Sequence, residues 1–203
     1  MRVLESGLAA STSESGVLVI HLLNRCNLHC RHCYMNAVPD GGNILPADIV
    51  CRALQEAKLL GIRTVHLTGG EPFVYPEIHR VLEFASGLRD FQLFISTNGT
   101  RIGSHEAQWM KAAGAGAQIS IDGPEEYHDR FRGMRGAFAA SNSAIQMLVA
   151  AGVPVTVVVT ITGQPLLPAV PRRVGVGRRG RAHQRAAAAG NRSRRPHCRC
   201  KIV

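Results

Sequence analysis

The sequence predicts an α/β protein made of parallel βα units, which either wind into an open sheet or close into a barrel. Three observations carry this. From Val17 to Ile161, short β-branched or apolar runs alternate with stretches of helical period. The links between the runs are long enough for the crossovers that parallel strands require. The residues with chemical character fall just after the strands, where βα folds gather their sites.

The elements follow in order. Val17–Leu23 is a continuous apolar run broken only by His21, which predicts a strand buried on both faces. Pro46 to Leu60 predicts a helix: Pro46 and Asp48 suit its first turn, Ile49, Ala53, Ala57 and Leu60 repeat on one face, and Gly61 stops it. Arg63–Leu67 is the second strand. Pro76–Ser86 is the second helix, with Ile78, Val81, Leu82 and Ala85 on one side and Gly87 as its stop. Phe91–Ile95 is the third strand, Ser104 to Ala113 the third helix, and Ala117–Ile121 the fourth strand. Phe138–Ala151 is the fourth helix, ended by Gly152, and the β-branched Val153–Ile161 is the fifth strand. Cys51, early in the first helix, reads as a core-facing free cysteine. His66, inside the second strand, reads as a core histidine.

Charge divides the chain. Residues 1–163 carry 13 Lys+Arg against 14 Asp+Glu, whereas residues 164–203 carry 11 Lys+Arg and no acid. The net charge of +10 therefore belongs to the end of the chain. That segment is rich in Arg, Ala, Gly and Pro, with no aromatic residue and no structural period. The expected organisation is a flexible N-terminus over 1–16, a core over 17–162 and a disordered tail over 163–203. The tail's composition is that of a GC-rich gene read out of frame. Without aromatic interleaving or a binding motif it predicts no specific nucleic-acid partner. No run of eighteen apolar residues suggests a membrane span. Glu5, Glu14 and Arg25 disagree with a lipoprotein signal before Cys26, so the expected location is cytoplasmic.

Three of the six cysteines, Cys26, Cys30 and Cys33, lie within eight residues in a CxxxCxxC arrangement. They are too close together to staple a fold by disulfides, and such crowding points to metal or redox chemistry. Three thiolates would leave one iron of a four-iron cluster without a protein ligand. Zinc, with His29 or His32 as a fourth ligand, is the alternative that spacing leaves open.

Cys26, Cys30 and Cys33 after the first strand, with Gly69-Gly70-Glu71-Pro72 after the second, resemble the radical S-adenosylmethionine (SAM) superfamily. His32 takes the aromatic-like position before the third cysteine, and Tyr34 follows it. Ser96-Thr97-Asn98-Gly99 after the third strand and Ser120-Ile121-Asp122-Gly123 at the fourth also fit. The stretch from Asp122 through His128-Asp129-Arg130-Phe131-Arg132-Gly133 is similar to the subgroup that matures peptides and haem-type cofactors, often with a C-terminal SPASM cluster domain.

The resemblance implies a 4Fe-4S cluster on the three cysteines, whose open iron chelates the methionine moiety of SAM. Reductive cleavage of SAM then gives a 5′-deoxyadenosyl radical that abstracts hydrogen from a peptide or tetrapyrrole-type substrate. It implies an electron donor such as flavodoxin or ferredoxin. It assigns the SAM site to Tyr34, Gly69, Gly70, Glu71, Pro72, Ser96, Asn98, Ser120 and Asp122, with Glu71 on the SAM ammonium and the two glycines allowing close approach to a ligand. His128, Asp129 and Arg132 read as a structural loop or helix cap. The chain departs from the pattern in two places. Five strands stand where the family has six, so the resemblance implies a partial (β/α) barrel of parallel strands missing its last unit or units, which leaves Val155–Ile161 as an exposed, aggregation-prone edge. Cys198 and Cys200 do not fit SPASM spacing, so auxiliary clusters are expected to be absent, and a truncated, inactive remnant is the competing expectation.

Overall fold

The computed structural model describes residues 16–88, 91–160 and 198–202. Its strands are β1 (Val17–His21), β2 (Thr64–Thr68), β3 (Gln92–Thr97), β4 (Gly116–Ser120), β5 (Val155–Val159) and β6 (Cys198–Ile202). Its helices are α1 (Ala47–Leu59), α2 (Ile78–Gly87), α3 (Ser104–Ala112), α4 (Glu125–Arg132) and α5 (Ala137–Ala151). All neighbouring strands pair in parallel, in the order β1-β2-β3-β4-β5-β6. Helices link the successive neighbours from β1 to β5, and α1, α2, α3 and α5 pack their buried residues into one core with the sheet. The other face is concave. Among the described residues nothing pairs β1 with β6, so the sheet winds as a barrel but does not close.

Burial follows that asymmetry. Val65, Leu67, Leu93, Ile95, Ala117, Ile119, Val155 and Val157 are buried in one core with Val50, Leu54, Val81, Leu82, Met110, Ile145 and Leu148 of the helices. Alternate residues on the concave face, among them His66, Phe94, Gln118 and Val158, are only half-buried. Period-2 alternation thus separates a packed face from an open one.

Four sequence expectations change. The first strand is not covered on both faces: Val17 is 59% and Val19 51% exposed, because β1 is an edge strand beside the open concavity. The buried face of α1 is Ala47, Val50, Leu54 and Ala57, not the set through Ile49 and Leu60. Apolar residues surround this helix, so its period alone does not select a face. The Glu125–Arg132 segment, read as a loop or cap, is the separate helix α4. Finally, Cys198–Ile202, read as disordered tail, is a strand pairing with β5 in register Val155↔Cys198 to Val159↔Ile202. The β5 edge is therefore covered. The rest of the expected tail and of the flexible N-terminus lies outside the described residues.

Candidate active site

The cysteine loop leaves β1 and is fixed on two sides. On one side it crosses the β2 loop: Gly70 N–H donates to the Leu23 carbonyl (2.7 Å) and Glu71 N–H to the Arg25 carbonyl (2.9 Å). On the other it lies along the end of α4, where His29 N–H donates to the Arg132 carbonyl (3.2 Å) and Arg31 N–H to that of Phe131 (3.0 Å). His32 stacks flat on the Phe131 ring at 4.3 Å.

Both crossings need glycine. A Cβ on Gly69 would lie 2.4 Å from the Leu23 carbonyl oxygen and one on Gly70 2.1 Å from that of Arg25. The sequence reading gives these glycines to ligand approach; the structure shows them first admitting the backbone of the cysteine loop. At the end of α4, Gly133 takes a left-handed conformation (φ 70°), and a Cβ there would lie 2.6 Å from the His29 carbonyl oxygen.

The loops enclose a cavity of about 430 Å³ at the C-terminal ends of the strands, within the size range of small-molecule sites. Cys26, Cys30, Cys33, Tyr34, Gly69, Gly70, Ser96, Asn98 and Ser120 all line it. Ser96 Oγ donates to Gln118 Oε1 (3.0 Å). Asn98 Nδ2 reaches Asn27 Oδ1 at 3.1 Å and Cys26 Sγ at 3.9 Å. Tyr34 stands at the mouth, 76% exposed, its ring edge-on to that of His21. The four described cysteines are free thiols. Burial pushes the Cys26 thiol up to about 11 and raises that of Cys30.

Three residues assigned by resemblance stand behind the cavity. Pro72 is buried and opens a single helical turn, Pro72–Val74. Glu71 is wholly buried. Its carboxylate accepts from Thr97 Oγ1 (2.6 Å), Asn98 N–H (2.8 Å) and Phe73 N–H (3.0 Å). Burial raises its pKa and these donors oppose the rise. The carboxylate is thus occupied by protein groups and joins the β2 loop to the β3 loop, rather than facing a ligand ammonium. Asp122 is also wholly buried. It accepts from Arg132 Nε (2.5 Å) and Thr160 N–H (3.0 Å), while its own N–H donates to His128 Nδ1 (3.1 Å).

Arg132 is the cavity residue that sequence reasoning set aside. It lines the wall and its Nη1 lies 3.8 Å from Cys30 Sγ. The signal for its helix was present: Pro124 before Glu125 and Glu126, then Arg130, Arg132 and Gly133, are helix start and stop signs. Asp129 accepts from Phe138 N–H (2.8 Å) and Gly136 N–H, and so caps the start of α5.

Comparison with known proteins decides the family. A family model described as the radical SAM superfamily matches residues 20–168. The chain belongs to the radical SAM superfamily. It is 34% identical over 170 residues to an AdoMet-dependent heme synthase of Oleidesulfovibrio alaskensis, a match covering 79% of this chain and 41% of that protein. It is 31% identical over 143 residues to the sporulation killing factor maturation protein SkfB of Bacillus subtilis, covering 70% and 35%. Its fold matches the crystal structure of Streptococcus suis SuiB bound to the precursor peptide SuiA, with TM-score 0.66 and 24% identity over 73% of this chain and 34% of that one. This radical SAM chain thus spans less than half the length of these curated relatives. Superfamily members are enzymes, with haem-related and peptide-modifying proteins among these relatives. Among the described residues no helix is long and apolar enough to cross a membrane.

Proposed function

We propose that Cys26, Cys30 and Cys33 hold a 4Fe-4S cluster through their thiolates, and that the chain is the SAM-binding core of a maturase for a peptide or a tetrapyrrole-type substrate. The observation that carries this is the placement of all three thiols on one cavity with Gly69, Gly70, Ser96, Asn98 and Ser120. The donor set fits the group. Three cysteine sulfurs line the one cavity, and a four-iron cluster takes one thiolate at each iron it binds.

When bound, the reduced cluster and SAM supply a 5′-deoxyadenosyl radical for hydrogen abstraction. The chain's part is positional. The loop anchors hold the thiols, and the Gly69–Gly70 backbone forms one wall. Ser96, Asn98 and Ser120 offer hydroxyl and amide groups to ribose and methionine atoms. Leu28 and Val158 keep part of the wall apolar, and Tyr34 guards the mouth. Glu71 and Asp122 act from behind by fixing Asn98 and Arg132. The names of SkfB, SuiB and the heme synthases support the two substrate classes. A one-electron donor such as flavodoxin or ferredoxin, and a cytoplasmic setting, complete the reading.

The competing, second reading is a core that loads a cluster without turnover. Anaerobic reconstitution with iron and sulfide, then SAM and dithionite with assay of 5′-deoxyadenosine, separates them. Product supports the active core; a brown cluster without product supports the second reading; a colourless, folded protein refutes both.

A further inference from the structure

Each thiol of the cysteine loop has a donor of its own. Cys26 Sγ accepts from Leu28 N–H (3.4 Å) and faces Asn98 Nδ2, and Cys33 Sγ accepts from Ala37 N–H (3.5 Å). These donors are neutral. Cys30 differs, because its donor is the Arg132 guanidinium. Among the described residues Arg132 is the one Lys or Arg that lines the cavity.

The guanidinium is held in place. Its side chain is only 10% exposed, and its Nε is paired with the fully buried Asp122. Asp122 is held in turn by Thr160 N–H, just beyond β5. The Arg132 carbonyl accepts from His29 N–H in the loop itself. A line of contacts thus runs from the end of β5 through Asp122 and Arg132 to one thiol.

We infer that Arg132 is a positioning residue that sets the reduction potential of the cluster through Cys30, and that Asp122 tempers its charge. This rests on the reading of the three cysteines as cluster ligands. Hydrogen bonds to ligand sulfurs and net nearby charge are two determinants of iron–sulfur potentials. A cation on one thiolate stabilises the form that has gained an electron. The carboxylate behind the cation offsets part of that effect. The two residues therefore act with opposite sign.

The test is EPR-monitored redox titration of the reconstituted full chain, with dithionite as reductant, alongside iron content. R132Q should lower the one-electron reduction equilibrium constant about tenfold, a potential about 59 mV more negative. D122N keeps an acceptor for Arg132 but removes the charge, and should move the potential in the positive direction. Opposite shifts at full iron content support the inference, since a merely structural role would not give paired signs. Both variants within about twofold of wild type, at full iron, would overturn it. If R132Q fails to fold or to load iron, D122N decides: a positive shift supports, and no shift overturns. A wild-type chain that takes up no iron would overturn the cysteine assignment itself, and this inference with it.

Discussion

Replacing Glu71 with Ala tests whether that carboxylate serves the fold or a ligand. It is wholly buried and accepts three hydrogen bonds, from Thr97 Oγ1 at 2.6 Å, Asn98 N–H at 2.8 Å and Phe73 N–H at 3.0 Å. Alanine leaves all three donors without an acceptor. A buried donor left unsatisfied costs about 1–3 kcal/mol. Partial relaxation makes the sum less than additive, so E71A should cost about 4 kcal/mol, a large part of the roughly 5–15 kcal/mol that keeps a domain folded. E71Q retains the oxygen facing Thr97 and Phe73 but turns an amide toward Asn98 N–H, and should cost about 1–3 kcal/mol. The assay is urea unfolding of the reduced chain before cluster loading, with midpoints compared at constant m. A double-mutant cycle adds a control: T97V should cost less in the E71A background than in the wild type, because there it removes only the bond from Gly99 N–H to Thr97 Oγ1 (3.0 Å). A loss below about 1 kcal/mol for E71A would refute the reasoning. So would weakened SAM binding at unchanged stability, which would return Glu71 to the ligand.

Other outcomes follow from the same geometry. Gly70→Ala places a methyl 2.1 Å from the Arg25 carbonyl oxygen, a backbone atom with no rotamer to yield; iron loading should fall several-fold, and normal loading would show that the crossing can widen. Cys30→Ala should abolish the brown chromophore, whereas iron retained at wild-type stoichiometry would remove Cys30 from the ligand set. His128 accepts from Asp122 N–H through Nδ1, a bond that a protonated imidazole cannot make. Burial above all, with Arg132 adding, pushes its pKa down from 6.5 to about 4. The unfolded chain binds the extra proton between those values. Its contribution, at most about 3 kcal/mol, is therefore complete above pH 6.5 and lost as pH falls toward 4. H128N, whose Oδ1 can replace the acceptor, should flatten the pH dependence of unfolding in that window, and an unchanged slope would assign it to other groups.

Much of the fold was legible because βα alternation leaves a periodic trace. The faces of α2 and the places of the rim loops followed from spacing alone. What sequence missed has physical causes. A continuous apolar run such as Val17–Leu23 states a residue preference, not how many layers cover it, so the exposure of Val17 and Val19 depends on a neighbour the run cannot reveal. Charged residues drew attention away from α4, although its capping signs were complete. The pattern Cys198-Arg-Cys200-Lys-Ile202 does alternate with period 2, but its setting in an Arg-rich, acid-free segment obscured it. In the site, the cysteines were legible from spacing. The direction of the Glu71 and Asp122 carboxylates was not, since it depends on which backbone N–H groups come within reach after folding.

The two-sided anchoring of the cysteine loop also constrains the order of assembly. One anchor, Leu23 and Arg25 against Gly70 and Glu71, is the nearer in sequence; the other is more distant, with Cys30 and Arg132 separated by 102 positions. Closing so long a span is entropically slow and waits on the intervening units. On a growing chain the thiols emerge early, yet they have no fixed arrangement until α4 has been synthesised and docked. Iron delivered before that point would meet a loop without its second anchor. The proposed cluster site is therefore organised only after most of the sheet exists.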